Sequence, residues 1–272
     1  MQANHGLGAA ARTMMQSLGL RETAERLLDV LPERMQSKLR ELRADAYVSA
    51  HDVSALQILP VEPLKALQRS ALRYLVSRDG PNGLGDYLEF GVFAGTSIGC
   101  MAEVVQELRL DKVRLFGFDS FEGMPAIAAS EDEGTWEPGQ FKFDIEVTKA
   151  ILRKRGVDMS RITLTKGWFD QQLTPALRQQ YGLRKASVVM VDCDLYSSTV
   201  EVLRFVEPLI LDEAVLIFDD WNSNDLASKD LGEKRAFEQF MHAHPELSVT
   251  PLPFDSYASH AHSLIVTRAP SA

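Results

Sequence analysis

The sequence predicts an α/β chain built on a doubly wound, mostly parallel sheet, and three observations predict it. From Asp86 onward, strand-like runs alternate with helical ones, which implies right-handed β-α-β crossovers. Several of the early strand runs are almost wholly apolar, as a parallel sheet covered on both faces requires. Glycines and aspartates stand just past the strand-like runs, where doubly wound sheets bind their ligands.

The elements follow in order. Up to about Ala50 the chain reads as helical: Thr23 is a candidate cap with Glu25 in the first turn, and Leu27, Leu28, Leu31, Met35, Leu39 and Leu42 recur at roughly helical spacing. Pro32 breaks or restarts that run. Leu64, Leu67, Leu72 and Leu75 mark a second helix before the turn Asp79-Gly80-Pro81. Strands are expected at Tyr87–Val92, Val113–Asp119, Ile162–Lys166, Val188–Asp192 and Val215–Asp219, with late strands at Ser248–Leu252 and Ser263–Thr267. Helices are expected at Ser97–Leu108, Glu146–Arg155, Gln172–Tyr181, Ser197–Leu209 and Glu233–Ala243.

The bulk numbers bound the function. A length of 272 residues suits one large domain, or one domain with an extension. A net charge of −9 argues against a broad nucleic-acid surface, and the short basic stretch Arg153-Lys154-Arg155 is expected to be a solvated helix end. Cys100 and Cys193 match no metal-ligand spacing and read as reduced thiols of a cytoplasmic protein. There is no signal-peptide layout and no apolar run of about 18 residues, so no membrane span is expected.

Three places past strand ends suit a cofactor. In Leu88-Glu89-Phe90-Gly91-Val92-Phe93-Ala94-Gly95-Thr96-Ser97 a strand enters a glycine loop and then a helix, with Ser97 a cap or a donor to a ligand carboxylate. A strand-to-helix turn without a ligand has the same glycines. Gly91, Gly95 and Gly99 are spaced by four, unlike the G-x-G-x-x-G of a dinucleotide fold. With Glu89 ahead of them they resemble the acidic-glycine pattern of class I methyltransferases. Asp119, at the end of the second strand, can accept both hydroxyls of a ribose; the other reading is a cap or loop solvator. Gly167 permits close approach after the third strand, and Trp168 is either a flank for adenine or a core aromatic. The candidate cofactor residues are Glu89, Phe90, Gly91, Gly95, Thr96, Ser97, Asp119, Ser120, Phe121, Gly167, Trp168 and Asp192.

The densest chemical signal is acidic. One strand ends Val191-Asp192-Cys193-Asp194 and the next Phe218-Asp219-Asp220, which delivers four carboxylates to one rim. Like charges so close raise one another's pKa, and a divalent cation resolves the conflict. Oxygen ligands alone favour a hard ion such as Mg²⁺ over zinc. Asp192, Asp219 and Asp220 are the candidate metal ligands, and Asp194 the candidate general base beside Asp192. The alternative is that some of these, Asp194 above all, cap the helices that follow. His260 and His262, in the late Ser256–Ser263 segment, either reach the acceptor or are simply exposed, and Tyr196 and Trp221 flank the acidic rim, either to stack on an acceptor or to pack the helix starts.

Taken in order, Leu88-Glu89-Phe90-Gly91-Val92, Phe118-Asp119-Ser120-Phe121-Glu122-Gly123-Met124-Pro125, Lys166-Gly167-Trp168-Phe169, Asp192-Cys193-Asp194-Leu195-Tyr196-Ser197-Ser198-Thr199 and Phe218-Asp219-Asp220-Trp221 resemble the macrocin O-methyltransferase family. That family includes enzymes acting on sugar hydroxyls of macrolides and of novobiocin. The resemblance runs from about Pro63 to the C-terminus. It implies a Rossmann-like class I fold of seven strands with the last antiparallel, S-adenosylmethionine and Mg²⁺ as cofactors, and methyl transfer to a hydroxyl of a sugar or related natural product. It also implies that Asp192, Asp219 and Asp220 form the metal triad, that Asp119 holds the ribose and that Asp194 serves as base. Residues 1–62 are expected to be a helical extension making lid and oligomer contacts in a homo-oligomer, and residues 63–272 the methyltransferase domain. The alternatives are a catechol-type or other small-molecule O-methyltransferase, a non-catalytic relative that binds S-adenosylmethionine, and a nicotinamide-dependent oxidoreductase, which leaves the paired aspartates unexplained.

Overall fold

The computed structural model describes residues 31–254 and 256–269. The cap expected at Thr23 and the apolar positions Leu27 and Leu28 lie outside the described residues. Helix α1 (Glu33–Ala50) starts directly after Pro32, whose ψ of 141° is extended, so the proline stands at the helix boundary. Helix α2 (Val61–Asp79) buries Leu64, Leu67, Ala71, Leu72 and Leu75 as one stripe and stops at Gly80, with φ 70°. Each of those leucines contributes about 1.5–3 kcal/mol by leaving water.

Seven strands form one sheet: β1 (Asp86–Phe90), β2 (Leu115–Asp119), β3 (Ile162–Lys166), β4 (Ala186–Val191), β5 (Glu213–Phe218), β6 (Leu247–Pro251) and β7 (His262–Arg268). Their order is β3-β2-β1-β4-β5-β7-β6, with β1 to β5 parallel and β7 antiparallel to both its neighbours. The order reverses between β1 and β4, so the crevice beyond their carboxyl ends is the switch point. One face of the sheet is covered by α2 and α3 (Thr96–Glu107). The other is covered by α6 (Pro175–Tyr181), α7 (Tyr196–Val206) and α8 (Gly232–Ala243). The class I methyltransferase architecture is thus present, including the antiparallel strand β7.

Several elements differ from expectation for local reasons. β1 ends at Phe90 because Gly91 turns the chain with φ 92°. The helix expected over Gln172–Tyr181 is two, α5 (Phe169–Gln172) and α6, because Pro175 starts a new helix capped by the Thr174 hydroxyl, which accepts the Leu177 N–H at 3.2 Å. The basic stretch at the end of α4 (Ile145–Lys154) is not simply solvated. Arg153 pairs with Asp45 at 2.7 Å, Lys154 donates to the Val48 carbonyl at 2.8 Å, and Arg155 reaches Glu103 at 2.7 Å and the Thr96 carbonyl at 3.1 Å. These cations clamp α1 and the start of α3 to α4, and Ala44 and Val48 of α1 pack with Val147, Ala150 and Ile151.

Between β2 and α4 an irregular segment, residues 120–144, roofs the carboxyl edge of the sheet. It is tied down by side chains rather than by a ladder. Asp132, buried with φ 48°, accepts the Tyr196 N–H and the Gly232 N–H, both at 2.9 Å, and so caps α7 and α8 together. Glu131 accepts the Ser197 N–H at 3.1 Å and its hydroxyl at 2.6 Å. Asp132→Ala is expected to destabilise the fold by about 2 kcal/mol, two caps at about 1 kcal/mol each, read by denaturant unfolding. A loss below half that would mean the roof is not held by the helix ends.

Candidate active site

The sheet's hydrogen bonds continue one residue past the strands, and this aligns the site. Gly167 N–H bonds the Asp119 carbonyl, Gly91 N–H the Phe118 carbonyl, Asp192 N–H the Phe90 carbonyl and Asp219 N–H the Val191 carbonyl, at 2.8–2.9 Å. The first residues beyond β3, β1, β4 and β5 therefore stand in a row at one rim. Gly91 is required there: a Cβ on it would lie 1.6 Å from the Asp192 carbonyl oxygen. Above the rim lies a cavity of about 750 Å³, the size of a small-molecule site.

At one end the cavity is lined by Gly91, Asp119, Ser120 and Trp168. Asp119 accepts the Val92 and Phe93 N–H groups on Oδ2, at 2.7 and 2.9 Å, and the Phe121 N–H on Oδ1 at 2.6 Å. Burial pushes its pKa up while those N–H groups oppose the shift. Asp119 therefore braces the glycine loop besides facing the cavity.

Other candidate cofactor residues stand behind this wall and do not line the cavity. Glu89 is fully buried; it accepts the Tyr87 hydroxyl at 2.5 Å, while its Oε1 has no partner, and burial pushes its pKa up to about 8. Ser97 lies 3.1 Å from the same tyrosine hydroxyl, and its carbonyl accepts Gln68 at 3.2 Å. Phe90 stacks on Phe118 on the opposite face of the sheet, with centroids 5.0 Å apart. Thr96 and Phe121 are buried, Gly95 starts α3 in the left-handed conformation, and Gly167 has φ 152° beside Gln172.

At the other end the structure brings Asp192, Asp219 and Asp220 together, each offering an oxygen, all within 4.8 Å of one another. Burial and the neighbouring carboxylates push Asp192 far above the usual carboxylate range. Burial and Asp219 push Asp220 to about 7. Asp194, held with φ 65°, is buried beside them and also pushed far up, by burial first and by Asp220 second. Asp194 does not cap α7, whose first N–H groups go to Asp132 and Glu131.

The donor set fits a hard divalent cation. The three carboxylates are crowded, and Asp220 Oδ2 is buried with no partner. A second acid–histidine group, Glu207, His244 and Glu246, lacks that character because Arg268 pairs with both glutamates.

Glu233 and Tyr257 reach the site without having been among the sequence candidates, whereas His260 was one of them. Glu233 of α8 is fully buried and accepts the Asp220 N–H at 3.0 Å, with its Oε1 unpartnered. Tyr257 donates its hydroxyl to Asp219 Oδ1, and His260 Nε2 lies 3.6 Å from the same oxygen. That carboxylate holds His260 above its usual pKa. His262 lies against Trp221 instead, with centroids 4.7 Å apart, and burial lowers its pKa. Trp221 packs on Phe218 and Phe237, and Tyr196 bonds Gln239 at 2.7 Å, so neither lines the cavity. The roof adds Met124, Trp136 and Phe141 to the lining, from a segment without periodicity whose aromatic residues were the one available signal.

The family model described as Macrocin-O-methyltransferase (TylF) matches residues 13–245. A curated relative from Streptomyces olivaceus, 8-demethyl-8-(2,3-dimethoxy-alpha-L-rhamnosyl)-tetracenomycin-C 4'-O-methyltransferase, is 28% identical over 157 residues, or 55% of this chain. That match spans 58% of the relative's length. Among solved structures, the O-methyltransferase NovP aligns with a TM-score of 0.61 at 18% identity, covering 76% of this chain and 80% of that one. CalS11, a calicheamicin methyltransferase, aligns with a TM-score of 0.56 at 19% identity, covering 89% and 95%. At such identities the two structures speak to the fold. With the glycine loop, the row of strand-end residues and the acidic rim in place, and the family model running through nearly all of them, the chain belongs to the macrocin O-methyltransferase family.

Proposed function

We propose that the protein transfers a methyl group from S-adenosylmethionine to a hydroxyl of a sugar carried by a natural product, with Mg²⁺ held by Asp192, Asp219 and Asp220. The observation that carries this reading is the meeting of those three carboxylates at the switch point, beside the loop of Gly91 and the lining carboxylate of Asp119. The relative named for a 4'-O-methyltransfer on a rhamnosyl group supports a sugar acceptor.

Asp119 and Ser120 take the ribose, Trp168 flanks the adenine and the Gly91 loop lets the methionine end approach, a reading supported by Gly91, Asp119, Ser120 and Trp168 all lining the cavity. Bound at the rim, the cation would supply charge that orients vicinal hydroxyls and lowers the pKa of the reacting one. The acceptor oxygen forms its bond to the methyl carbon as the carbon–sulfur bond breaks, and its proton passes to Asp194. Alignment of oxygen, carbon and sulfur contributes several kcal/mol, with about 7–11 as the upper range. The aromatic roof keeps bulk water from the donor. The chain acts as a homo-oligomer in which residues 1–62 supply lid and subunit contacts. Among the described residues no helix is long and apolar enough to cross a membrane, and a cytoplasmic site of action accords with the two buried, unpaired cysteines.

The pKa shifts give a direct test. Asp192, Asp194 and Asp220 hold protons in the folded, metal-free protein at pH values where an unfolded aspartate has lost them. The stability that these groups contribute to the chelator-treated protein is therefore fully present below about pH 4 and is lost as pH rises through about 7, the folded value of Asp220. The slope is about 1.4 kcal/mol per pH unit for each such proton. Mg²⁺ competes with those protons, so its stabilising shift in Tm is expected to be small at pH 5.5 and to grow towards pH 8. A shift that is absent, or independent of pH, would count against cation binding at this rim.

A further inference from the structure

We propose that Asp132, on the roof and outside the cavity, is a positioning residue that sets Asp194 and Asp220 in place when the roof is down. Closure of the roof and cation binding at the rim are then one coupled event. The inference rests on the metal-dependent reading above and adds the residue that assembles its site.

Three observations carry it. First, Asp194 needs a holder. Its φ is 65°, and the Leu195 N–H bonds the Cys193 carbonyl across it at 2.7 Å. A three-residue turn of that hand is rare and strained, and it persists only where its surroundings fix it. The next N–H along the chain, that of Tyr196, goes to Asp132 Oδ2 at 2.9 Å. Leu195, between them, is fully buried and packs with Met124, Ala128 and Trp136, all from the roof. The roof thus holds the strained turn by a hydrogen bond on one side and by packing on the other.

Second, the other oxygen of the same carboxylate reaches the neighbouring acids. Asp132 Oδ1 accepts the Gly232 N–H at 2.9 Å. Gly232 precedes Glu233, whose Oε2 accepts the Asp220 N–H at 3.0 Å. A Cβ on Gly232 would lie 4.0 Å from the Asp194 carbonyl oxygen, so the two bridged segments run side by side. One carboxylate therefore spans the chain that follows β4 and the chain that follows β5, and these deliver Asp194 and Asp220.

Third, the tip of the roof is held apart from its base. Asp132 and Glu133 are both left-handed, with φ 48° and 59°, a backbone state that is costly for residues with side chains. Side chains keep the tip there: Glu131 accepts the Ser197 hydroxyl at 2.6 Å, and Lys229 pairs with Glu133 at 2.7 Å. The base has its own ties. The Met124 N–H bonds the Gln140 carbonyl and the Gly139 N–H the Met124 carbonyl, both at 2.9 Å, and Lys142 and Lys166 both bind Glu122. Lifting the tip, residues 126–137, leaves the base in place but releases the Tyr196 and Gly232 N–H groups together. The turn at Asp194 then relaxes, and Glu233 no longer fixes the Asp220 backbone. What the closed roof does for the cation, the cation does for the roof, because such coupling is reciprocal. Ligands enter past a raised tip while the acids are unset, and transfer begins once it comes down.

The test pairs calorimetric titration of chelator-treated protein with Mg²⁺ and amide hydrogen exchange over residues 120–144, both with S-adenosylhomocysteine bound. In the wild type, Mg²⁺ should slow exchange at the tip by about tenfold or more. Asp132→Ala should bind Mg²⁺ about tenfold more weakly and lose that slowing. Asp132→Asn keeps one acceptor oxygen for two N–H groups and should lie between, and it carries the test if the alanine variant does not fold. Both variants should bind S-adenosylhomocysteine with near-normal affinity, since Gly91, Asp119 and Trp168 stand outside the tip. Glu131→Ala loosens the tip at Ser197 without touching Gly232, so its Mg²⁺ affinity should stay near that of the wild type. The inference is overturned if the Asp132 variants bind Mg²⁺ as tightly as the wild type, or if tip exchange in the wild type ignores Mg²⁺. An equal loss in Glu131→Ala would also overturn it, by assigning the effect to a loosened roof and not to the bridge. Wild-type protein that binds S-adenosylhomocysteine but no Mg²⁺ would instead remove the metal reading, and this inference with it.

Discussion

Asp219→Ala is expected to lower methyl transfer at saturating S-adenosylmethionine by at least about a hundredfold, the scale of losing one electrostatic element of a transition-state site. S-adenosylhomocysteine should still bind with near-normal affinity, because the cofactor end of the cavity lies past β1, β2 and β3, not past β5. The alanine variant also strands the Tyr257 hydroxyl, which donates to Asp219 Oδ1 in a buried position. That costs about 1–3 kcal/mol of stability and complicates any loss of activity. Asp219→Asn separates the effects. It keeps an acceptor for Tyr257 and preserves the fold, yet removes the charge that a cation needs. If Asp219→Asn is folded and keeps wild-type activity, Asp219 is not a metal ligand. Asp220→Ala should fall as far as Asp219→Ala and should also free the carboxyl of Asp194, which it neighbours.

Asp119 is the second position with a large expected effect, and of the opposite kind. Its carboxylate accepts three backbone N–H groups, from Val92, Phe93 and Phe121, while facing the cavity. Hydrogen bonds to a charged acceptor contribute about 1.5–3 kcal/mol each, so Asp119→Ala loses the shape of the loop and, with it, the ribose contact proposed for this carboxylate. S-adenosylhomocysteine affinity should drop by about a hundredfold or more, corresponding to about 2.7 kcal/mol. Asp119→Asn should rescue it only in part, since its amide has one acceptor oxygen and must turn its NH₂ towards the N–H groups of Val92 and Phe93 or towards that of Phe121. Binding of Mg²⁺, followed by its pH-dependent shift in Tm, should persist in both variants. Cofactor affinity within a few-fold of wild type would show that the loop holds itself and that the ribose is bound elsewhere.

The parallel half of the sheet was legible because its strands are buried on both faces and read as apolar runs between helical periods, as in Val188-Val189-Met190-Val191. The acidic rim was legible because a parallel sheet sends every strand end to one edge, so Asp192 and Asp219 had to meet once β4 and β5 were neighbours. What escaped depends on contacts distant in sequence. Strand alternation turns Glu89 to a buried pocket with Tyr87 and Ser97, a burial that the acidic residue alone did not signal. Arg153 and Lys154 looked like a solvated charge run, and only the position of α1 reveals their partners. The roof over residues 120–144 carries no period at all, because Asp132 and Glu131 hold it to the ends of α7 and α8 by side-chain capping. Tyr257 and Glu233 reach the rim from segments 38 and 13 residues away from their partners, a juxtaposition no local pattern encodes.

The measurement that reaches the central claim most directly is transfer of an isotopically labelled methyl group from S-adenosylmethionine to a panel of aryl glycosides by chelator-treated protein, with and without added Mg²⁺. The rim of Asp192, Asp219 and Asp220 predicts labelled product, with the methyl group on a sugar oxygen, only when Mg²⁺ is restored. Equal transfer in chelator would contradict the role given to that rim. It would leave the carboxylates as a buried, protonated cluster in an enzyme that activates its acceptor without a metal.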